Sequence, residues 1–387
     1  MSTTTRLTVV MTHPIQYYSP WFRFIASDVS ELELTVLYAS EPSPSQQGAQ
    51  FGTDFVWDIP LREGHRNKVL RPTTANADFG SERFWGVNVP EVGAAIEQSK
   101  PDAVLVSGWH SVTLVRAILA CGRRGFPLLY RGDTHLEDRG TKLLWRARSR
   151  WLLGRFDRYL SVGTRVREYL RSFGVPNALI YDSPHAVDNE FFAASARPFQ
   201  VPTERAKARS ELGVSEDAFV VSFVGKLESR KRTKDLLQAL PRLDKSATFL
   251  VVGSGPLEQE CRELAAELAV DVRWCGFMNQ SELGRVYGIS DCLALPSAET
   301  WGLVVNESMA AGLPCVVSDR VGCAPDLVEN GDTGEVFSFG EPAELARAVE
   351  RVRTGPSRSE ACRQRVHNFS FEAATQGLLA ACRAAKG

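Results

Sequence analysis

Several features that would place this chain in a special class of protein are missing from its sequence. No apolar run comes near the roughly 20 residues that a membrane-spanning helix needs. The 8 cysteines are scattered and form no Cys-x-x-Cys pair, which favours reduced structural thiols over a disulfide framework or a zinc site. With 30 Gly and 20 Pro in 387 residues, the chain is not collagen-like or of low complexity. These absences leave a folded, globular protein.

Charge and the N-terminus narrow the class further. The formal net charge is -1, which argues against a general nucleic-acid binder. The apolar run after Arg6 ends at His13-Pro14, too short for a signal peptide and without a small-residue cleavage site. We therefore expect a cytoplasmic protein.

One stretch departs from this even balance of charge. Between Arg139 and Arg155 there are six basic residues and no acidic one, and leucines and two tryptophans are interleaved with them. Such a stretch can rest on an anionic membrane surface, which would place the protein peripherally at the inner face of the membrane. The alternative is a solvated helix whose apolar side packs inward.

The order of elements predicts an α/β protein. Short apolar runs alternate with amphipathic helical patterns, which is typical of parallel sheets covered on both faces. Predicted strands are Leu7–Met11, Leu32–Tyr38, Ala103–Ser107, Leu128–Arg131, Tyr159–Val162 and Ala178–Tyr181, then Phe219–Val224, Thr248–Val252, Val272–Cys275, Cys292–Leu295, Cys315–Ser318 and Gly334–Phe337. This rhythm predicts two doubly wound domains, 1–184 and 185–368, joined by a Pro-containing hinge.

Residues 40–89 interrupt this rhythm. The segment is polar, rich in Gly and Pro, and carries six large aromatic residues. Loops of this length in compact domains are usually functional or disordered, and the aromatic residues argue against disorder. We expect this segment to form a wall of an acceptor pocket. Its aromatic residues are Phe51, Phe55, Trp57, Phe79, Phe84 and Trp85.

Ligands of open α/β sheets bind at the carboxyl ends of the strands, so the residues that follow each strand are the candidates. Gly225-Lys226 follows one strand and Lys231 comes five residues later, a spacing that can flank a diphosphate or can be an exposed basic turn. Gly253-Ser254-Gly255-Pro256 follows the next strand, where glycine lets a ligand approach the backbone.

The strongest constellation follows Cys292–Leu295. Glu299 lies in a loop, Gly302 marks the start of a helix, and Glu307 lies more than one turn inside that helix. Free N–H groups at a helix start can hold phosphate, and carboxylates can accept hydrogen bonds from sugar hydroxyls. Apolar neighbours predict that Glu307 is partly buried, and a buried acid without a partner is costly.

Residues 223–336 resemble the donor half of the retaining glycosyltransferases of family four. The resemblance rests on motifs in the family's order: Phe223-Val224-Gly225-Lys226 with Lys231, Gly253-Ser254-Gly255-Pro256, Pro296-Ser297, Glu299 with Glu307, Met309-Ala310-Ala311-Gly312-Leu313-Pro314, and Gly322-Cys323-Ala324-Pro325-Asp326. It implies the GT-B fold, in which two Rossmann-like domains face each other across a cleft. It also implies that a closing helix over 369–387 packs back on the N-terminal domain.

The resemblance implies a role for each donor-site position. Lys226 and Lys231 would neutralise the leaving diphosphate, Glu307 would bind the ribose, and Glu299 would bind a hydroxyl of the transferred sugar. The remaining donor-binding positions are Gly225, Gly253, Gly276, Phe277, Gly302, Leu303 and Val304, with the base at Gly276 and Phe277. No Asp-x-Asp pair occurs, in keeping with an enzyme that needs no metal or other cofactor.

The N-terminal half departs more from the family pattern. The loop after the first strand, residues 12–20, lacks the glycines that family members commonly carry there. His135 or Asp133, after the fourth predicted strand, would fill the family's position near the acceptor hydroxyl, although a histidine there can also be purely structural. Weaker candidates for the acceptor side or the cleft are Gln16, Tyr17, His110 and Arg131.

The function implied is transfer of a sugar, with retention, from a nucleotide sugar to a glycan, glycolipid or other hydroxyl acceptor. A UDP-sugar is the favoured donor and a GDP-sugar the alternative, and by analogy the product belongs to bacterial polysaccharide or glycoconjugate synthesis. Two other functions stay open. One is a sugar-nucleotide epimerase of similar fold, and the other is a non-catalytic nucleotide-sugar-binding protein.

Overall fold

The computed structural model describes residues 4–48, 51–73, 77–79, 83–136, 143–243 and 247–386. The chain folds into two compact units. Unit 1 consists of Met1–Gln47, Pro60–His185 and Phe371–Gly387, and unit 2 consists of Gly48–Ile59 and Ala186–Ser370. The chain therefore passes from one unit to the other at four points, two of which delimit a short segment within the N-terminal half.

Unit 1 is built on a parallel sheet of seven described strands in the order β3-β2-β1-β4-β5-β6-β7. Strand β4 is apolar and buried along its whole length, and every residue of β1 except Arg6 is buried, because helices cover both faces of a doubly wound sheet. The strands are β1 Thr5–Met11, β2 Leu32–Tyr38, β3 Asn67–Val69, β4 Ala103–Val106, β5 Leu128–Gly132, β6 Arg158–Ser161 and β7 Ile180–Asp182.

Unit 2 repeats the design with six described strands in the order β10-β9-β8-β11-β12-β13, again all parallel. Every residue of β9 and β11 is buried. The strands are β8 Phe219–Val224, β9 Ala247–Val252, β10 Val272–Gly276, β11 Cys292–Leu295, β12 Cys315–Ser318 and β13 Gly334–Phe337.

Helices connect the strands, and local capping defines several of their ends. The Ser111 side chain accepts from the N–H of Thr113 at the start of α4, and Gly125 ends α4 in the left-handed region at φ 70°. The helices are α1 Tyr18–Asp28, α2 Pro44–Gly48, α3 Val92–Gln98, α4 Val112–Arg124, α5 Leu143–Leu153, α6 Thr164–Ser172, α7 Asn189–Ala196, α8 Pro202–Glu211, α9 Thr233–Ala239, α10 Glu258–Glu267, α11 Gln280–Ile289, α12 Leu303–Ala310, α13 Ala324–Leu327, α14 Pro342–Thr354, α15 Ser359–His367 and α16 Phe371–Lys386.

None of these helices, within the described ranges, combines the length and the apolarity that crossing a bilayer requires. The closing helix α16 belongs to unit 1, where the indole N–H of Trp21 donates to Thr375 Oγ1 at 2.9 Å.

The fold class expected from the sequence is confirmed: both units are doubly wound parallel α/β sheets. Two details differ. Strand β3 was not expected, because it is only three residues long and has no apolar pattern of its own. Residues 48–59 pack with unit 2, although the sequence places them inside the predicted N-terminal domain.

Candidate active site

The candidate donor residues of unit 2 lie in the loops that follow β8, β9, β10 and β11, at the carboxyl edge of the sheet. Backbone contacts bind these loops to one another. The N–H of Gly253 donates to the carbonyl of Gly276 at 2.7 Å, and that of Gly225 donates to Val252 at 3.0 Å. Gly253 has φ 126°, and a Cβ there would lie 2.0 Å from the carbonyl oxygen of Gly225. Only glycine fits this approach.

Lys226 and Lys231 are the two cations of this edge. The aliphatic stem of Lys231 packs against Gly225, with its Cε 3.6 Å from the position of a Cβ on that glycine. The ammonium of Lys226 lies 4.9 Å from the centre of the Phe51 ring. Burial lowers the pKa of Lys226, and the nearby charge of Lys231 lowers it further. The side chain of Lys231 thus lies against the residue that precedes Lys226.

Lys231 forms an ion pair with Glu299, and both side chains are largely buried. Their Nζ and Oε1 atoms are 2.5 Å apart. Burial alone would raise the pKa of Glu299, but the Lys231 ammonium outweighs this effect and holds that pKa below its ordinary value. The backbone of Glu299 is held by a parallel bridge to Val321. The residue predicted to bind the diphosphate, Lys231, and the residue predicted to bind the sugar, Glu299, thus form an ion pair with each other.

Within the described part of the chain, no side chain caps the start of α12. Gly302 is the N-cap residue, with φ 101°, and brings no side chain that could accept from the first N–H groups of the helix. The first intrahelical bond recorded there runs from Val305 to the Gly302 carbonyl. The N–H groups of Leu303 and Val304 therefore begin a helix whose positive end suits an anion.

Glu307 is 2% exposed, as its apolar neighbours predict. The sequence did not identify its partner, which is Tyr287 on α11. The Tyr287 hydroxyl donates to Glu307 Oε2 at 2.5 Å. A buried carboxylate next to a phenol is held in one position, which a ribose-binding group requires.

The two polar neighbours of Glu307 in the sequence, Asn306 and Ser308, are held inside unit 2. Asn306 is buried and accepts from the indole N–H of Trp301 at 2.9 Å. The Ser308 hydroxyl donates to the Val305 carbonyl at 3.2 Å and lies 3.0 Å from the sulfur of Cys315. Both polar side chains are satisfied inside the unit, so they leave the acid between them in place.

Phe277 follows β10, and its ring is covered by aromatic residues from the N-terminal half. Phe55 stacks on it with ring centroids 4.2 Å apart, and Phe51 and Trp57 contact it at 5.2 and 6.3 Å. Phe51, Phe55 and Trp57 therefore lie in unit 2, beside the predicted base position. Because they lie more than 200 positions away along the chain, no local pattern could reveal this contact. That residues 40–89 form a wall of an acceptor pocket stays a prediction.

The carboxyl edge of the unit 1 sheet carries polar and aromatic groups. Gln16 and Tyr17 are half-buried in the loop between β1 and α1, and His110 is half-buried after β4. Burial lowers the pKa of His13 to about 4, and the nearby His110 adds to this shift. The ring of Phe79 contacts His13 at 4.8 Å. The order of strands therefore brings the loops after β1 and β4 together.

Asp133 and His135 follow β5, and there His135 is buried while Asp133 is half-buried. The pKa of His185, in the loop after β7, is lowered to about 3 by burial and then by the charge of Arg131, while Asp133 acts in the opposite direction. The loops after β5 and β7 thus share one electrostatic environment.

Arg131 does not suit the acceptor-side role that its position suggested. It is buried, and it donates to the Tyr18 hydroxyl at 2.9 Å and to the carbonyls of Ser183 and Pro184 at 3.3 and 3.1 Å. Its guanidinium also lies 4.6 Å from the ring centre of Trp21. These contacts make Arg131 a structural brace of this edge.

Comparison with known proteins identifies the family and the fold. Two protein-family models match the chain in succession, "Glycosyltransferase Family 4" over residues 33–191 and "Glycosyl transferases group 1" over residues 204–369. A curated protein named D-inositol 3-phosphate glycosyltransferase, from Actinosynnema mirum, is 34% identical over 200 residues, which are 46% of this chain and 48% of that protein. The match therefore spans about half the length of this relative.

Solved structures are similar over nearly the whole chain. Anabaena Alr3699/HepE in complex with UDP and glucose has a TM-score of 0.74 at 17% identity, covering 97% of this chain and 98% of that one. The lipopolysaccharide outer core galactosyltransferase WaaB, in its apo form, has a TM-score of 0.70 at 16% identity, covering 98% and 99%. The chain has the GT-B fold and belongs to the group 1, family 4 glycosyltransferases.

Proposed function

We propose that this protein is a retaining glycosyltransferase that moves a hexose from a nucleotide sugar, with a UDP-sugar favoured over a GDP-sugar, to a hydroxyl of a glycan, glycolipid or other acceptor. The observation that carries the proposal is the carboxyl edge of unit 2. Lys226 and Lys231 follow β8, and Glu299, which pairs with Lys231, follows β11. The buried Glu307 lies on the next helix, α12. A similar fold binds UDP-glucose in Anabaena Alr3699/HepE. Bacterial polysaccharide or glycoconjugate synthesis is the setting we propose.

Each donor-site group has a separate task in this proposal. Lys226 and Lys231 neutralise the diphosphate as the bond to the sugar breaks, and the N–H groups at the start of α12 hold a phosphate oxygen. Glu299 keeps Lys231 in position and accepts from a sugar hydroxyl when the donor arrives. Glu307, held by Tyr287, binds the ribose diol.

Unit 1 supplies the acceptor groups in this proposal. Asp133 or His135 lies at the carboxyl end of β5 and would accept a hydrogen bond from the acceptor hydroxyl. The half-buried Gln16, Tyr17 and His110 would contact the rest of the acceptor.

Nucleotide binding tests the donor half directly. We expect one of UDP, GDP, ADP and dTDP to raise the melting temperature of the wild-type protein, because a ligand at about 100 times its Kd stabilises by roughly 2.7 kcal/mol. Glu307→Gln should lose this response and Tyr287→Phe should reduce it. Glu263→Gln, an exposed acid on α10, is the matched control and should keep it. No response to any nucleotide would refute the proposal.

Product analysis separates the proposal from its two rivals. Incubated with the matching nucleotide sugar and a mixed pool of acceptors, a glycosyltransferase releases nucleoside diphosphate and glycosylated product. An epimerase changes the sugar nucleotide without any acceptor, and a non-catalytic binding protein returns it unchanged.

We also propose that α5 docks on an anionic membrane surface. Leu152 and Leu153 are buried, whereas Leu143 and Leu144 are 81% and 86% exposed and Trp151 is 51% exposed. The exposed cations Arg148, Arg150 and Arg155 lie on or beside the same helix. This arrangement favours the membrane over the solvated-helix alternative, because large apolar groups accompany the cations outward. Arg139 and Lys142 lie outside the described residues.

Vesicle co-sedimentation tests this surface. We expect binding to vesicles that contain phosphatidylglycerol and weak binding to pure phosphatidylcholine. Arg148→Ala with Arg150→Ala should weaken the binding substantially, since each cation near the headgroups contributes about 1 kcal/mol. Val201→Ser, an exposed apolar residue of unit 2, is the control. Binding that ignores the anionic lipid content would contradict the proposal.

A further inference from the structure

Residues 51–58, here called the aromatic strap, are anchored on unit 2 by polar contacts at the start of α11. The Asn279 side chain donates to the Val56 carbonyl at 2.7 Å and accepts from the N–H of Asp58 at 3.3 Å. The Asp58 carboxylate accepts from the N–H of Ser281 at 3.1 Å and also from the Ser281 hydroxyl. Asn279 also closes the capping box of α11 with Glu282, so the anchor is a rigid one.

A second anchor lies at the other end of the strap. The hydroxyl of Ser254, in the glycine-rich loop after β9, donates to the carbonyl of Phe51 at 2.5 Å. The strap therefore crosses from the loop after β9 to the start of α11, and it passes the end of β10 on the way.

The middle of the strap presents its rings to Phe277. Phe55 stacks on Phe277 with centroids 4.2 Å apart and planes inclined by 29°. Phe51 and Trp57 each meet Phe55 edge to face, at 5.4 and 4.9 Å. Rings at 4.2 Å leave no room for a third ring between them. The stacking face of Phe277 that Phe55 covers is occupied.

We infer that Phe55 is an intramolecular stand-in for the nucleotide base, and that it determines how strongly the site selects ligands that carry a base. The inference rests on the proposed function, which puts the base of a nucleoside diphosphate at Gly276 and Phe277. The base and Phe55 would stack on the same ring face, so binding of one excludes the other. A nucleotide then binds only to the fraction of molecules in which Phe55 has left Phe277. Its apparent Kd is the intrinsic Kd divided by that fraction, so the apparent affinity is lower.

Phe55 can be substituted without removing the anchors of the aromatic strap. Phe55→Ala removes the competing ring and leaves the anchors in place, because those use the backbone carbonyls of Phe51 and Val56 and the side chain of Asp58. Phe51 is the less suitable target, because its ring also lies over the Lys226 ammonium. Val56 is 61% exposed and next in the chain, so Val56→Ala is the matched control.

The test is calorimetric titration of the full-length protein with UDP and, separately, with inorganic pyrophosphate. Phe55→Ala should lower the Kd for UDP by between about twofold and tenfold, the range that one aromatic pair supports. Its Kd for pyrophosphate, which brings no base, should stay at the wild-type value, and Val56→Ala should match wild type for both ligands. Asp58→Ala, which loosens the strap at its anchor, should also tighten UDP binding.

Two results of these titrations would overturn the inference. An unchanged or higher Kd for UDP in Phe55→Ala overturns the inference, since the ring would then be a bystander or a wall that contacts the base. Equal tightening of UDP and pyrophosphate also overturns it, because the effect would not involve the base. If wild type and all variants bind none of UDP, GDP, ADP and dTDP, the proposed function fails together with the inference; if one of the others binds in place of UDP, the titrations are made with that nucleotide. If UDP binds and Phe55→Ala changes nothing, only the inference fails.

Discussion

The carboxyl edges of the two sheets have the same topology but use their charged groups differently. In unit 2 the cations are paired with a carboxylate or held near one another, as Lys231 is with Glu299 and with Lys226. In unit 1 the buried cation Arg131 is bound to backbone carbonyls and a phenol. Side-chain partners can exchange for a ligand, whereas carbonyls that shape a loop cannot. The contrast agrees with the proposal that the diphosphate binds at unit 2, whereas the charge of Arg131 in unit 1 is structural.

The largest effect should come from breaking the unit 2 pair. Lys231→Met leaves the largely buried Glu299 without its cation, which should lower the free energy of unfolding by about 3–5 kcal/mol. Urea denaturation measures this loss, and adding Glu299→Gln should restore most of it. Lys234→Met breaks the exposed pair with Glu260 and is the control, with an expected loss of about 1 kcal/mol or less. Equal losses in the two single variants would contradict the buried pair.

Removing the Arg131 cation of unit 1 should lower the free energy of unfolding and leave the Kd for the nucleotide unchanged. Arg131→Met leaves buried carbonyls of Ser183 and Pro184 without their donor, and we expect a loss of about 2–3 kcal/mol in urea denaturation. The Kd for UDP should stay within about twofold of wild type, in keeping with a brace. A much larger change in that Kd would move Arg131 into the ligand site and remove the contrast between the two edges.

Acid should destabilise unit 1 through His13. Burial holds its pKa in the folded protein at about 4, against an ordinary value of 6.5, so the unfolded chain takes up the proton first. Stability from this group is complete above pH 6.5 and falls as the pH drops toward 4, by about 2 kcal/mol at pH 5. Urea denaturation at pH 7.5 and 5 should show a smaller difference for His13→Gln than for wild type. His367→Gln, on the exposed side of α15, should behave as wild type.

The smallest expected effect is a change in the Kd for UDP at alkaline pH, caused by Lys226 of unit 2. Burial, with Lys231 beside it, lowers the pKa of Lys226, so this lysine loses its charge at a lower pH than an ordinary lysine. The Kd for UDP should rise a few-fold as the pH goes from 7.5 toward 10.5. Lys226→Arg should remove part of that rise, because a guanidinium stays charged. Lys234→Arg, an exposed control on α9, should leave the rise unchanged.

Much of the fold is readable from the sequence. Four of the six strands predicted in the second half, β8, β11, β12 and β13, have the observed bounds, since buried parallel strands are continuous apolar runs. Strand β3 is the exception, because Asn67-Lys68-Val69 becomes a strand only by pairing with β2. The packing of the closing helix on the N-terminal domain was expected only from the family resemblance, and its place in unit 1 depends on contacts such as Trp21 with Thr375.

Several candidate donor residues could be identified because they lie within a few positions of a strand end, whereas Glu307 was found from its apolar neighbours and the family resemblance. A short loop after a parallel strand has only one edge of the sheet to occupy, so Lys226, Gly253 and Glu299 are placed by local order. The partners of these residues could not be identified in this way. Tyr287 reaches Glu307 from another helix, and nothing in its neighbourhood in the sequence distinguishes it from a core tyrosine.

The sequence by itself determined two doubly wound sheets, the edge at which charge collects, and the cations and acids of that edge, because periodicity and strand-end loops are local properties. Only the tertiary structure decided which groups meet: Lys231 with Glu299, Tyr287 with Glu307, and Phe55 with Phe277. The last pair lies 222 residues apart in the numbering. A contact across that separation depends on the tertiary fold, and it brings part of the aromatic segment to the predicted base position.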